Sequence, residues 1–275
     1  MLKQRILTAG ALIPVVVSCT YFTSTGLFSI LSAIFICMGV WEWSGLCSIK
    51  KAVPRSAYLL TIVLLLFASY QFRDTFLAVL IISLSLVWWL IALFLVISYQ
   101  KGNVLVLLES RLIKACIGAI VTVPVWLSLS ILHGSGSDGK MLVLFLLILI
   151  WVADIAAYFS GRRWGKTKLS SNVSPGKTWE GLYGAMFAVL LFALAYALAN
   201  NMQGLELACF LTVCVITVLA SALGDLLESL MKRISKTKDS GSLLPGHGGM
   251  MDRIDSLTAA APFFLVGLWL TRAIA

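Results

Sequence analysis

Nine apolar runs constrain this chain more than any other feature: residues 7–23, 26–47, 57–71, 75–98, 112–132, 141–160, 179–199, 205–228 and 256–273. About 20 apolar residues wound as a helix match the hydrocarbon thickness of a bilayer, and backbone groups in lipid must bond within their own segment. The expected fold class is an all-α integral membrane protein with about nine transmembrane helices. A hydrophobic share of 60% agrees, being far above that of a soluble globular chain. The third run is short, and a hairpin or interfacial element is the alternative there.

A net charge of +9 could mean nucleic acid, anionic lipid or topology, and the distribution of charge decides between them. The amino terminus and the even-to-odd connections hold 18 of the 21 Lys and Arg, leaving Arg73, Lys140 and Arg272 on the other face. By the positive-inside rule the amino terminus and the polar connections are cytoplasmic and the carboxyl terminus periplasmic, with no nucleic-acid partner. Lys3 and Arg5 ahead of the first run, with Val16-Val17-Ser18-Cys19, imitate a cleaved leader. No soluble domain follows, so an uncleaved first helix is expected. The six cysteines form no Cys-x-x-Cys pair and read as packing residues.

Ionisable residues are concentrated in the second half, which divides the chain into spans 1–5 (1–140) and a catalytic region of spans 6–9 (141–275). In the first half Glu42, between Trp41 and Trp43, reads as an interfacial residue, and His133 as a loop residue. The densest polar stretch, Ser229 to Asp255, holds Lys232, Arg233, Lys236, Lys238, Asp239, Asp252, Arg253 and Asp255, with His247 and four glycines. So many polar groups between two apolar helices fit only an interface or a wet cavity.

Asp225, Glu228, Ser229 and Lys232 follow i, i+3, i+4, i+7 and share one face of the eighth helix. Asp252 and Asp255 open the ninth helix after Gly248-Gly249. If the two helix ends converge, Asp225, Asp252 and Asp255 meet in one cavity, where a hard cation such as Mg2+ would relieve their repulsion. Ion pairs of Asp252 with Arg253, or of Asp225 with Lys232, are the plainer alternative. His247, in Pro-Gly-His-Gly-Gly, suits either a general base or a turn hydrogen bond.

A second polar island runs from Asp154 through Arg162, Arg163, Lys166 and Lys168 to Ser174-Pro175-Gly176-Lys177-Thr178-Trp179-Glu180-Gly181. Ser174-Pro175 reads as an N-cap followed by Pro at the first helical position, leaving backbone N–H groups for phosphate. Gly176-Lys177-Thr178 is not a Walker A loop, because Ser171 stands where its first glycine belongs and no strand precedes it. Arg162, Arg163, Lys166 and Lys168 suit topology and anionic headgroups as well as substrate.

At these residues the chain closely resembles the bacterial phosphatidate cytidylyltransferase (CDP-diacylglycerol synthase) family. Ser229 to Asp255 carries Ser-x-x-Lys-Arg-x4-Lys-Asp and then Leu-Pro-x-His-Gly-Gly-x-x-Asp-Arg-x-Asp, a 27-residue pattern. Ser-Pro-x-Lys-Thr-Trp-Glu-Gly at 174–181, and Asp154 with Ala157-Tyr158-Phe159, resemble the family's other polar islands. The resemblance implies transfer of CMP from CTP to phosphatidate with release of pyrophosphate, Mg2+ with a second cation such as K+, and a homodimer in the inner membrane. It makes Asp225, Asp252 and Asp255 metal-site candidates, and Lys232, Arg233, Lys238, Asp239, His247 and Arg253 substrate or loop-ordering candidates. Asp154, Ser174, Lys177, Thr178, Glu180 and Ser229 are the further substrate-binding candidates. Two rivals are a CTP-dependent lipid kinase, which also joins nucleotide, metal and lipid, and a transporter of anionic solutes. A transporter calls for repeated halves and mid-membrane polar groups, and this chain has no clear internal repeat.

Overall fold

The computed structural model describes residues 2–241, 243 and 248–271. Its described residues form nine α-helices: α1 (Leu2–Phe22), α2 (Thr25–Leu46), α3 (Ala52–Gln71), α4 (Phe76–Gln100), α5 (Arg111–His133), α6 (Gly139–Trp164), α7 (Trp179–Ala199), α8 (Gly204–Ile234) and α9 (Met251–Leu270). Eight of them, α2 to α9, are long and apolar enough to cross a membrane, and α1 adds the apolar stretch Ile13–Phe22. The third apolar run, where a hairpin was the alternative, is a continuous helix of 20 residues.

The chain divides into two compact units, each drawn from separated stretches. One comprises residues 1–85, 105–144 and 231–255. Within it α2, α3 and α5 pack closely because Gly118 of α5 has no side chain. A Cβ there would fall 2.5 Å from the Trp43 indole and would also collide with the Tyr58 hydroxyl. Small residues permit such approaches between membrane helices. Trp43 Nε1 then donates to Lys114 O at 2.8 Å and Tyr58 Oη to Ala115 O at 3.0 Å. At the opposite end of α5, Trp126 Nε1 donates to Ser29 O at 2.9 Å.

His133 lies in α5, not in a loop, and is buried against Phe28, with ring centroids 4.2 Å apart. Its Nδ1 is 3.1 Å from Thr25 Oγ1 and its Nε2 2.9 Å from Thr20 O, so it ties α1, α2 and α5 together.

The other unit comprises residues 86–104, 145–230 and 256–275. Phe145 of α6 is its apolar centre, with ring centroids 5.2 Å from Phe192, 4.4 Å from Tyr196, 5.3 Å from Phe210 and 5.9 Å from Phe264. One aromatic side chain thus holds α6, α7, α8 and α9 through offset and tilted ring contacts.

Between α6 and α7 lies a two-stranded antiparallel hairpin, β1 (Lys168–Ser170) and β2 (Ser174–Thr178), with Lys168 opposite Thr178 and Ser170 opposite Ser174. This corrects two expectations, the N-cap at Ser174 and the absence of a strand before Gly176; the Walker A pattern still fails at Ser171. Pro175 lies in the strand, and Thr178 caps α7, its hydroxyl accepting from Gly181 N at 3.1 Å. Ser174-Pro175 and Thr178 offer the same cap chemistry four residues apart, and the pairing with β1 selects the later start. Gln100 at the end of α4 holds the hairpin turn. Its Oε1 accepts from Asn172 N at 2.9 Å and Ser170 Oγ at 3.0 Å, and its backbone carbonyl from Asn172 Nδ2 at 2.9 Å.

Candidate active site

Each unit holds a lysine–aspartate pair built from residues singled out in the sequence. In the second unit, Lys177 extends from β2 and its Nζ lies 2.7 Å from Asp225 Oδ2 of α8. The other Asp225 oxygen accepts from Ser229 Oγ at 3.2 Å, one helical turn on, as the i, i+4 spacing predicted. Lys177 and Asp225 remain about a quarter and a third exposed. The hairpin is what presents Lys177, and Glu180 helps to fix it, since both Glu180 carboxylate oxygens accept from Thr167 N, at 3.1 and 3.2 Å. Trp179 N donates to Thr167 O at 3.0 Å. The α7 N–H groups of Trp179 and Gly181 therefore have partners within the protein, and the cradle expected from Ser174-Pro175 is replaced by a lysine on a strand.

In the first unit, Lys232 Nζ at the end of α8 donates to Asp252 Oδ1 at 2.6 Å, with both side chains largely buried. Asp252 Oδ2 accepts from Ser240 Oγ and Gly249 N, each at 2.9 Å. Charge-assisted bonds of this length are the stronger kind, and three of them fix Asp252 in the first turn of α9. The partner of Asp252 is thus Lys232, and that of Asp225 is Lys177, in place of the pairs considered from the sequence.

Glu42 belongs to this cluster, buried within the protein near the end of α2. It is 3% exposed. Its Oε2 accepts from Met251 N at 2.9 Å, and its Oε1 from Leu243 N at 3.3 Å. A carboxylate accepting the first N–H of α9 satisfies an orphan donor and favours the positive end of the helix. Gly241 and Gly249 are required here by crowding. A Cβ at Gly241 would overlap the Glu42 carboxylate, and one at Gly249 would lie 2.6 Å from Glu42 Oε2 and 2.9 Å from Asp252 Oδ2. The sequence did hold a signal for Glu42, because an ionisable residue inside an apolar helix is functional by default; the flanking tryptophans diverted it. Lys114, also unremarked as a site residue, is buried and donates from Nζ to Leu46 O at 3.1 Å and to Ser235 Oγ at 3.2 Å. Ser235 Oγ in turn donates to Leu46 O at 2.7 Å, so the carbonyl end of α2 is held by a cation and a hydroxyl.

Of the remaining sequence candidates, Asp255 and Glu228 are buried on α9 and α8. Arg233, Lys238, Asp239 and Arg253 are exposed around the segment joining those helices, Asp154 is exposed on α6, and Ser174 is half-buried at the start of β2. His247 lies outside the described residues.

A cytidylyltransferase family model matches residues 3–271 of this chain. The chain belongs to the cytidylyltransferase family. Among cytidylyltransferases, it is 39% identical over 269 residues to the phosphatidate cytidylyltransferase of Pseudomonas aeruginosa, covering 98% of this chain and 97% of that one. It is 39% identical over 285 residues to the phosphatidate cytidylyltransferase of Haemophilus influenzae, covering 96% and 97%. It is 31% identical over 269 residues to that of Thermotoga maritima, covering 95% and 94%. Cytidylyl transfer must manage phosphate charge, and each unit holds one lysine and one carboxylate in contact.

Among the described residues no group of three or more His, Cys, Asp or Glu could hold a metal ion. Mg2+ commonly takes only one or two carboxylates and completes its shell with phosphate oxygens and water. Asp225 and Asp252 are oxygen donors of that kind, each now neutralised by an ammonium group at 2.7 and 2.6 Å. A hard cation at either carboxylate would have to draw most of its ligands from phosphate and water.

Proposed function

We propose that this chain is a phosphatidate cytidylyltransferase, transferring CMP from CTP to phosphatidate to give CDP-diacylglycerol and pyrophosphate. The observation that carries this reading is its likeness, from end to end, to enzymes of that name. A phosphatidate oxygen attacks the α-phosphorus of CTP in line with the departing pyrophosphate. The reaction therefore needs positioning and charge neutralisation more than a covalent partner.

Lys177 and Lys232 are the cations best placed to meet phosphate oxygens, because each is already held by a carboxylate. Asp225 in one unit, and Asp252 and Asp255 in the other, are proposed, each within its own unit, as carboxylates that Mg2+ would take together with phosphate oxygens, supplying charge neutralisation when bound, with K+ as the proposed second cation. Glu42, Ser240 and Gly249 order the segment that carries Asp252. Arg233, Lys238, Asp239, Arg253 and His247 are proposed substrate or loop contacts on the resemblance alone, as is assembly into a homodimer.

The multi-pass chain is proposed to lie in the inner membrane with its amino terminus cytoplasmic, its carboxyl terminus periplasmic and its chemistry in 141–275. Charge distribution supports that orientation. The direct test is incubation of detergent-purified protein with labelled CTP, phosphatidate and Mg2+, with products read by mass. CDP-diacylglycerol and pyrophosphate are expected. A lipid phosphorylated by CTP, or no liponucleotide, would overturn the reading.

A further inference from the structure

Within the first unit, an apolar cavity of about 810 Å³ runs along one face of α2 and α3. Its wall includes Ile30, Ile34 and Trp41 of α2, Val63 and Phe67 of α3, and Leu243. Gly26 and Trp41, both of which line it, are fifteen residues apart on one helix, a span of about 22 Å at 1.5 Å per residue. The cavity is therefore long in the direction in which a lipid tail lies, against a hydrocarbon layer about 30 Å thick. It is also open along one side: Ile30, Ile34 and Phe67 are 62%, 53% and 64% exposed.

One end of the cavity adjoins the acid cluster. Trp41 precedes Glu42, and Leu243 lines the cavity while its N–H donates to Glu42 Oε1 at 3.3 Å. Ser240, three residues before Leu243, donates to Asp252 at 2.9 Å, and Asp252 holds Lys232. A ligand with a phosphate beside Lys232 and a hydrocarbon chain at Leu243 would thread that chain between α2 and α3.

We propose that this cavity holds an acyl chain of the phosphatidate acceptor, with Leu243 joining chain binding to the segment that carries Asp252. The proposal rests on the function proposed above and deepens it. A cavity of this size and lining lies within the range of small-ligand sites, and because the surrounding lipid is equally apolar, the chain would be held there by packing against the helices.

The test uses the full-length protein in nanodiscs. Ala33 lines the cavity midway along α2, and Ala33→Phe fills it without adding polarity. The expected result is a rise in KM for dipalmitoyl phosphatidate, relative to dihexanoyl phosphatidate, on the order of tenfold. KM for CTP stays the same. An equal effect on both lipids, or none on the long one, would overturn the proposal.

A second measurement needs no variant. Wild-type protein is irradiated with a phosphatidate carrying a diazirine at mid-chain, and labelled peptides are identified by mass. Labels on α2 and α3 that dipalmitoyl phosphatidate competes away, and phosphatidylcholine does not, support it. Labels confined to other helices, or competed equally by phosphatidylcholine, refute it. Labelling does not depend on turnover, so a protein that forms no CDP-diacylglycerol would defeat the functional reading while the cross-link still reports on the cavity.

Discussion

Glu42 accepts the backbone N–H of Met251 at 2.9 Å across 209 residues of sequence. The acceptor belongs to a helix that, read alone, is a plain apolar span; the donor opens the helix that carries Asp252.

Removing that acceptor should unseat the segment. Glu42→Ala leaves the N–H of Met251 without its partner in a buried place, which costs about 1–3 kcal/mol, while the more exposed N–H of Leu243 can turn to water. A fall in melting temperature in detergent is expected, with at least a tenfold loss of kcat/KM, and Glu42→Gln, which keeps one acceptor oxygen, should fall between. Wild-type activity in Glu42→Ala would show that the contact is idle.

The two glycines beside Glu42 give a coupled prediction. Gly241→Ala and Gly249→Ala each place a Cβ against the Glu42 carboxylate and should reduce activity as Glu42→Ala does. Because the clash disappears when the carboxylate is gone, Gly241→Ala combined with Glu42→Ala should cost less than the sum, by about 0.5–3 kcal/mol in a double-mutant cycle. Strict additivity would separate the two effects.

Asp225→Asn and Asp252→Asn are expected to reduce CDP-diacylglycerol formation by at least about a hundredfold, through lost charge at the two pairs proposed to meet phosphate. Cooperative thermal unfolding should persist, since each Asn can still accept from Ser229 or Ser240. Near-normal turnover by either purified variant would remove that carboxylate from the chemistry.

Lys236 should matter little to catalysis. It lies just past α8 with φ of 55°, in the left-handed region, and Thr237 N donates to Lys232 O at 2.9 Å to close the helix. Lys236→Ala is therefore expected to keep most activity, and Lys236→Gly to stabilise by about 0.5–1 kcal/mol by relieving the backbone. Loss of activity in both would make the ammonium a substrate contact.

A reporter fused after Ala275 should read as periplasmic, as an odd number of spans from a cytoplasmic amino terminus requires. A cytoplasmic signal would mean an even count.

The helices were legible because a bilayer prescribes the length and polarity of a span, and runs such as 179–199 became α7 with the same limits. Local chemistry was legible where partners lie within a few residues, as with Ser229 and Asp225. What escaped was contact at long range. Lys177 and Asp225 were both noticed, yet nothing in their spacing of 48 residues announces a 2.7 Å pair. Gln100, just beyond the fourth apolar run and singled out by nothing in the sequence, proved to hold the turn of the hairpin that presents Lys177, reaching Ser170, 70 residues on. The partners of Glu42, and the place of His133 in a helix and not a loop, escaped for the same reason, because their bonding partners are not neighbours in sequence.

The reach of Glu42 also orders events in time. The ribosome completes α2 long before it reaches Met251, so the carboxylate is made first and its donors arrive last. An early helix seated wrongly in the bilayer would leave the finished chain with its lysines and aspartates all present and nothing for Leu243 and Met251 to close upon. Such a fault, made near the beginning of synthesis, would surface only once the chain is complete.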